Sequence, residues 1–242
     1  MNKIKAVFFD IDNTLYDSTL QVDMVRRNAI RAMIEAGLDI DEDEGLDALM
    51  DIVSRFGANY ESHFDALLQK FGYDRSPRII AAGIVAYHTT KAAYLVPFPD
   101  TVPTLLELRD RGYLLGVITE GRAVKQWEKL IRLGLQHFFH AVVISEDIGR
   151  QKPDVEMFRA AARKVSCRTK EAVMVGDRLD KDILGANAAG MTTIQVMKGK
   201  YSSQLPASKE EEPDYVVPNL KAILGILKTL NPKKSSGRSK PS

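Results

Sequence analysis

Residues 5–15 read KAVFFDIDNTL, and here the apolar run Ala6-Val7-Phe8-Phe9 ends on two aspartates, Asp10 and Asp12, one residue apart. A short run without polar alternation marks a strand buried on both faces, as the strands of a parallel sheet are. Comparable runs recur downstream: YLLGVIT at 113–119, HAVVIS at 140–145, AVMVG at 172–176, TTIQVM at 192–197 and YVV at 215–217. Between them lie TVPTLLELRDRG, VKQWEKLIRLG, VEMFRAAARKV, the stretch from Asp180 to Ala189 and NLKAILGILKTL, all with apolar residues at helical spacing. Strands alternating with helices of this length imply right-handed crossovers and a doubly wound parallel sheet, an α/β fold.

The alternation is interrupted once. From Ser18 to Leu95 every apolar stretch has helical spacing: VDMVRRNAIRAMIEAGL, LDALMDIVSRF, YESHFDALLQKFG and RIIAAGIVAYHTTKAAYL. Four helices are expected there, before Pro97-Phe98-Pro99-Asp100 returns the chain to the alternating pattern. The expected organisation is a core of residues 1–17 and 96–230, an inserted all-helical subdomain of residues 18–95, and a disordered basic tail of residues 231–242.

Composition excludes several classes. Apolar residues form 45% of the 242, too many for a disordered chain, and no run approaches the roughly 18 apolar residues of a membrane span. The formal charge of +2 is a product of residues 232–242, which carry four basic side chains and no acid. The remaining 30 basic and 32 acidic groups sum to −2, so the body lacks the basic excess of a nucleic-acid binder. The single cysteine, Cys167, cannot form an internal disulfide. With no secretory cleavage pattern near Met1, a reducing, cytoplasmic setting is expected. The sequence leaves the oligomeric state open.

Doubly wound sheets bind ligands outside the carboxyl ends of their strands. The first strand delivers Asp10-Ile11-Asp12-Asn13-Thr14 to that edge, the second Thr119-Glu120-Gly121, and the fourth Gly176-Asp177 followed by Asp180 and Asp182. Gathered carboxylates repel one another unless a cation sits among them, and hard oxygen ligands with few nitrogens suit magnesium. The acidic segment DIDEDEG at 39–45 fails as a calcium loop: its glycine falls one place late, and Met50 stands at the twelfth position. It is expected to be a solvated loop.

Taken in order, FFDIDNTL, GVIT, Lys152-Pro153-Asp154 and VGD resemble the motifs of the haloacid dehalogenase-like hydrolases, in the branch with a helical cap inserted after the first strand. The resemblance spans about residues 4–230 and implies a Rossmann-like core. In overall texture the chain is similar to a group of archaeal-type phosphatases, some described as glyceraldehyde 3-phosphate phosphatases. By this resemblance Asp10 is the nucleophile and Asp12 the general acid/base. Thr119, Glu120, Gly121 and Lys152 meet the substrate phosphate, and Lys152 also pairs with Asp10. Magnesium is held by Asp10, the Asp12 backbone carbonyl and Asp177, with Asp182 acting directly or through water. Asp180 is expected to cap a helix or face solvent.

One position departs from the family, which commonly has Asn or Asp where this chain has Glu120. That side chain either contributes only its backbone N–H or repels a second anionic group, with Arg122 as a potential partner. The function implied is a magnesium-dependent phosphatase acting on a small phosphorylated metabolite: a sugar phosphate, a triose phosphate or a nucleotide. A dehalogenase has no alkoxide to protonate, which Asp12 argues against. A sugar phosphomutase and a non-catalytic binding protein of the same fold remain as alternatives.

Overall fold

The computed structural model describes residues 3–232. The chain divides into two compact units: residues up to Asp17 joined with those from Val96 onward, and Ser18–Leu95. The elements in chain order are β1 (Ala6–Phe9), α1 (Ser18–Glu35), α2 (Glu42–Phe56), α3 (His63–Lys70), α4 (Pro77–Ala93), α5 (Thr101–Asp110), β2 (Leu114–Thr119), α6 (Ala123–Arg132), β3 (Ala141–Ile144) and α7 (Ser145–Ile148). They continue with α8 (Val155–Lys164), β4 (Ala172–Gly176), α9 (Leu184–Ala189), β5 (Thr192–Val196), β6 (Tyr215–Val217) and α10 (Ile223–Leu230).

In the first unit the six strands form one parallel sheet in the order β3-β2-β1-β4-β5-β6. This is the doubly wound α/β fold that the apolar runs predict. Every residue of β1 and β4, the two central strands, is buried. Alternate side chains face opposite sides of a strand. Phe8, Ile118, Val143 and Met174 accordingly pack with Met157, Phe158 and Ala161 of α8 and Ala186 of α9. The strand order switches direction at β1, so the chain leaving β1 and its neighbours faces the crevice where such sheets bind ligands.

Three local features differ from the sequence expectation. The helix expected over 180–189 is two pieces: a π-helical turn at Leu179–Ile183, then α9. Wide turns of this kind often mark functional positions, because they re-aim one side chain. The short helix α7 intervenes between β3 and α8. Asn231, expected in the disordered tail, is tied to the core: its amide side chain bonds both the N–H and the C=O of Ile4, at 2.9 and 2.8 Å. The rest of the expected tail, from residue 233, lies outside the described residues.

The second unit is a four-helix packing with its own apolar interior, formed by Ile30, Met33, Leu38, Ala48, Leu49, Ile52, Leu67, Leu68, Ile79 and Ile80. Its acidic segment 39–45, expected as a solvated loop, is instead a helix start: Asp41 is the cap, and Glu42 to Gly45 already belong to α2. The Asp41 carboxylate accepts from the N–H groups of Asp43 and Glu44 and starts α2, the ordinary use of an aspartate before a helix. Among the described residues no helix is long and apolar enough to cross a membrane.

Candidate active site

Asp10 directly follows β1, and its N–H continues the ladder to β4 by bonding Val175 O at 3.0 Å. That register sets Asp10 beside the end of β4, where Gly176 and Asp177 leave the sheet. A glycine is required at 176: a Cβ there would lie 2.4 Å from Asp182 Oδ2 and 2.6 Å from its Cβ. The glycine and the π-helical turn together let Asp182 fold back against its own strand. Carboxylate oxygens of Asp10, Asp177 and Asp182 then lie within 4.8 Å of one another, all three residues buried.

Lys152 enters from the loop between α7 and α8 and spans this group. Its Nζ donates to Asp10 Oδ1 and Asp182 Oδ1, each at 2.6 Å, and to Ile118 O at 3.1 Å. Its side chain is only 4% exposed. Burial opposes the charge, but the two carboxylates outweigh it and hold the ammonium's pKa above the ordinary lysine value. One cation does not balance three acids. Burial first, then Asp182 and Asp12, lift Asp10 to about 7 against the pull of Lys152. Burial, then Asp10 and Asp182, lift Asp177 to about 8, although an Asn13 hydrogen bond opposes this.

The donor set fits a divalent cation. Three oxygens from buried carboxylates converge, and Asp177 Oδ2 is buried without a hydrogen-bond partner among the described residues. An acceptor left in that state costs about 1–3 kcal/mol or more if nothing occupies it.

Asp12 turns elsewhere. Its side chain is 37% exposed, and its oxygens accept from Lys129 Nζ at 2.8 and 2.7 Å and from the Tyr16 hydroxyl at 2.6 Å. Burial pushes this carboxyl up, but Lys129 and Tyr16 outweigh it and hold it below the usual carboxylate range. The Tyr16 phenol is pushed well above its usual value by burial and by the Asp12 charge. Asp12 therefore stands outside the carboxylate cluster of Asp10, Asp177 and Asp182.

The remaining predicted residues line the β2 edge. Thr119 is buried and its hydroxyl bonds Gln126 Oε1 at 3.3 Å. Gly121 has φ +123° and its N–H donates to Ser145 Oγ at 2.9 Å. Glu120 pairs not with Arg122 but with Lys181 from the π-helical turn, so its charge is answered across the site. Asp180 is held by the guanidinium of Arg178 and is not one of the three clustered carboxylates.

Sequence reasoning missed Tyr16, Gln126, Lys129 and Lys181. The available signal was in α6: Gln126 and Leu130 are its buried positions, and Lys129, three residues after Gln126, shares that side of the helix.

The haloacid dehalogenase-like hydrolase family model matches residues 4–190. The chain is 52% identical over 229 residues to a glyceraldehyde 3-phosphate phosphatase of Methanopyrus kandleri, covering 94% of this chain and 98% of that protein. It is 44% identical over 227 residues to a protein of the same name from Methanocaldococcus jannaschii, again covering 94% and 98%. Among solved structures it is similar to a HAD phosphatase from Thermococcus onnurineus, at 27% identity and TM-score 0.64, covering 93% of this chain and 98% of that one. The chain belongs to the haloacid dehalogenase-like hydrolase family, and it is a phosphatase. The non-catalytic alternative is thereby set aside.

Proposed function

We propose that this phosphatase is magnesium-dependent and hydrolyses a small phosphorylated metabolite through an aspartyl-phosphate on Asp10, with glyceraldehyde 3-phosphate the first candidate substrate. The observation that carries the reading is the buried group of Asp10, Asp177 and Asp182 spanned by Lys152. The choice of metabolite rests on the two archaeal relatives named above.

The cation would be held by the Asp10 carboxylate, the Asp12 carbonyl and Asp177, with Asp182 beside them. When bound it supplies positive charge to the phosphoryl oxygens, the main requirement of phosphoryl transfer. Lys152 fixes the Asp10 carboxylate and offsets charge building on the phosphoryl group. Asp12, a carboxylate in the free site, takes a proton from the phosphate ester as its monoanion binds; an Asp10 oxygen then attacks phosphorus, the bond to the leaving oxygen breaks, and Asp12 gives that oxygen the proton. Asp12, now a carboxylate, takes a proton from water as the water oxygen attacks the aspartyl-phosphate. Phosphate leaves, and Asp10 is regenerated. Thr119 and the backbone N–H of Glu120 hold the phosphoryl oxygens, whereas the Gly121 N–H is taken by Ser145 Oγ.

These groups meet only features common to every phosphomonoester. Discrimination among metabolites is therefore assigned to residues outside this set, with those of the helical insertion, residues 18–95, the first candidates. Phosphate release from a panel of phosphoesters, with magnesium and with a chelator, tests the proposal. Release that requires magnesium and favours a triose phosphate supports it, and undiminished release in chelator removes the metal from the reaction.

A further inference from the structure

We propose that Lys129 and Tyr16 are positioning residues for the reaction, holding the Asp12 carboxylate in the one orientation from which it exchanges protons. The inference rests on the assignment of Asp12 as general acid/base. Asp12 is more exposed than Asp10, Asp177 and Asp182, and an unrestrained aspartate samples several χ1 rotamers and a broad χ2. Lys129 meets both of its oxygens and the Tyr16 hydroxyl meets Oδ1, so the carboxylate plane is fixed from two sides.

The contact differs from an ordinary surface ion pair in four ways. Lys129 lies 117 residues from Asp12 in sequence, so the pair is not a by-product of helical spacing. The Tyr16 ring is almost fully buried, 1% exposed, and Lys129 Nζ sits 6.0 Å from its centroid, so one rigid group orders both partners. Tyr16 is itself fixed by backbone bridges to Asp12 and to Pro97. Lys129 also makes no other ion pair among the described residues. Its charge is directed at a single carboxylate.

A displaced proton donor is costly, since a misplacement of about 1 Å can slow a reaction by about a hundredfold. The test is steady-state and single-turnover kinetics on Lys129→Met, Lys129→Arg and Tyr16→Phe, each also combined with Asp12→Ala. On an alkyl phosphate, Lys129→Met is expected to lower kcat by about ten- to a hundredfold, the scale of such a misplacement, with KM little changed. Lys129→Arg restores part of the loss. On an aryl phosphate, whose leaving group needs no proton, phosphoenzyme forms at the wild-type rate and its hydrolysis is slowed. In the Asp12→Ala background the Lys129 substitution has no further effect.

A raised KM at unchanged kcat would make Lys129 a substrate ligand and overturn the inference. Equal losses with and without Asp12 would do the same. If Lys129→Met does not fold, Tyr16→Phe and Lys129→Arg carry the same comparison. If Asp12→Ala itself leaves alkyl phosphate turnover intact, the acid/base assignment fails. If only the Lys129 and Tyr16 variants leave it intact, the positioning role alone fails.

Discussion

Among the described residues, the sheet-bearing unit buries Asp10, Lys152, Glu171, Asp177 and Asp182, and four of these five meet at one edge of the sheet. The helical unit buries Gln21 and Thr90 as its only polar side chains, and no charged one. Its ion pairs, such as Arg31 with Glu42 and Lys70 with Asp51, lie on the surface, where water and salt screen them. Burying charge is unfavourable unless it is paired. The first unit accepts that cost where phosphoryl chemistry needs it, whereas the second is held by apolar packing and has a surface free to vary. Substitutions in the two units should therefore fail in different ways.

The largest expected effect is Asp10→Asn, which removes the nucleophile. Turnover should fall by about 10⁵–10⁶-fold, the scale of losing an attacking group. The fold should survive, because the amide relieves repulsion with Asp177 and Asp182. Circular dichroism with a phosphate-release assay separates the two quantities, and retained activity would erase the distinction between the units.

Asp12→Ala comes next, with an expected loss of about 10²–10⁴-fold on alkyl phosphates, the usual worth of general acid–base help. On p-nitrophenyl phosphate the first step should be partly spared. Equal first-step losses on both substrate types, read by single-turnover kinetics, would count against the assignment.

Leu67→Ala probes the other unit. Leu67 is fully buried among apolar neighbours, and truncation should cost about 2–5 kcal/mol of stability. Turnover of p-nitrophenyl phosphate per folded molecule should not change. Urea titration followed by assay below the transition measures both, and a stable but slow variant would contradict the comparison.

A further effect concerns pH. Asp10 and Asp177 are lifted to about 7 and about 8 in the fold, from an ordinary value of 3.8. Folded protein thus keeps protons that the unfolded chain has lost. The stability they contribute is complete below about pH 4 and disappears as pH rises through 7 and 8. In chelator, the urea midpoint should fall between about pH 5 and pH 9, and magnesium should flatten that slope. A midpoint that rises over this window would show that the carboxylates are not mutually repelling.

Much of this was legible in the sequence. Uninterrupted apolar runs gave away strands buried on both faces, and Asp10, Asp177 and Asp182 followed from their places after strands. Lys152 was found because it stands between two motifs, not through any property of its own segment. Less visible were contacts that exist only once distant segments meet. The spacing of α6 puts Lys129 on its buried side, but no local pattern assigns it to Asp12 or Lys181 to Glu120. The wide turn at Leu179–Ile183 was equally hidden, because LDKDI has ordinary helical composition and the turn answers to the fit of Asp182 against Gly176.

The central claim is that Asp10 carries the phosphoryl group. The most direct measurement uses Asp12→Ala protein, in which hydrolysis of the intermediate is slowed, mixed with p-nitrophenyl phosphate and magnesium, quenched in acid and digested for mass spectrometry. One phosphoryl group, labile to hydroxylamine, should appear on the peptide containing Asp10 at the rate of p-nitrophenolate release. Release of p-nitrophenolate with no such adduct at any time, or an adduct on a peptide lacking Asp10, would contradict the account.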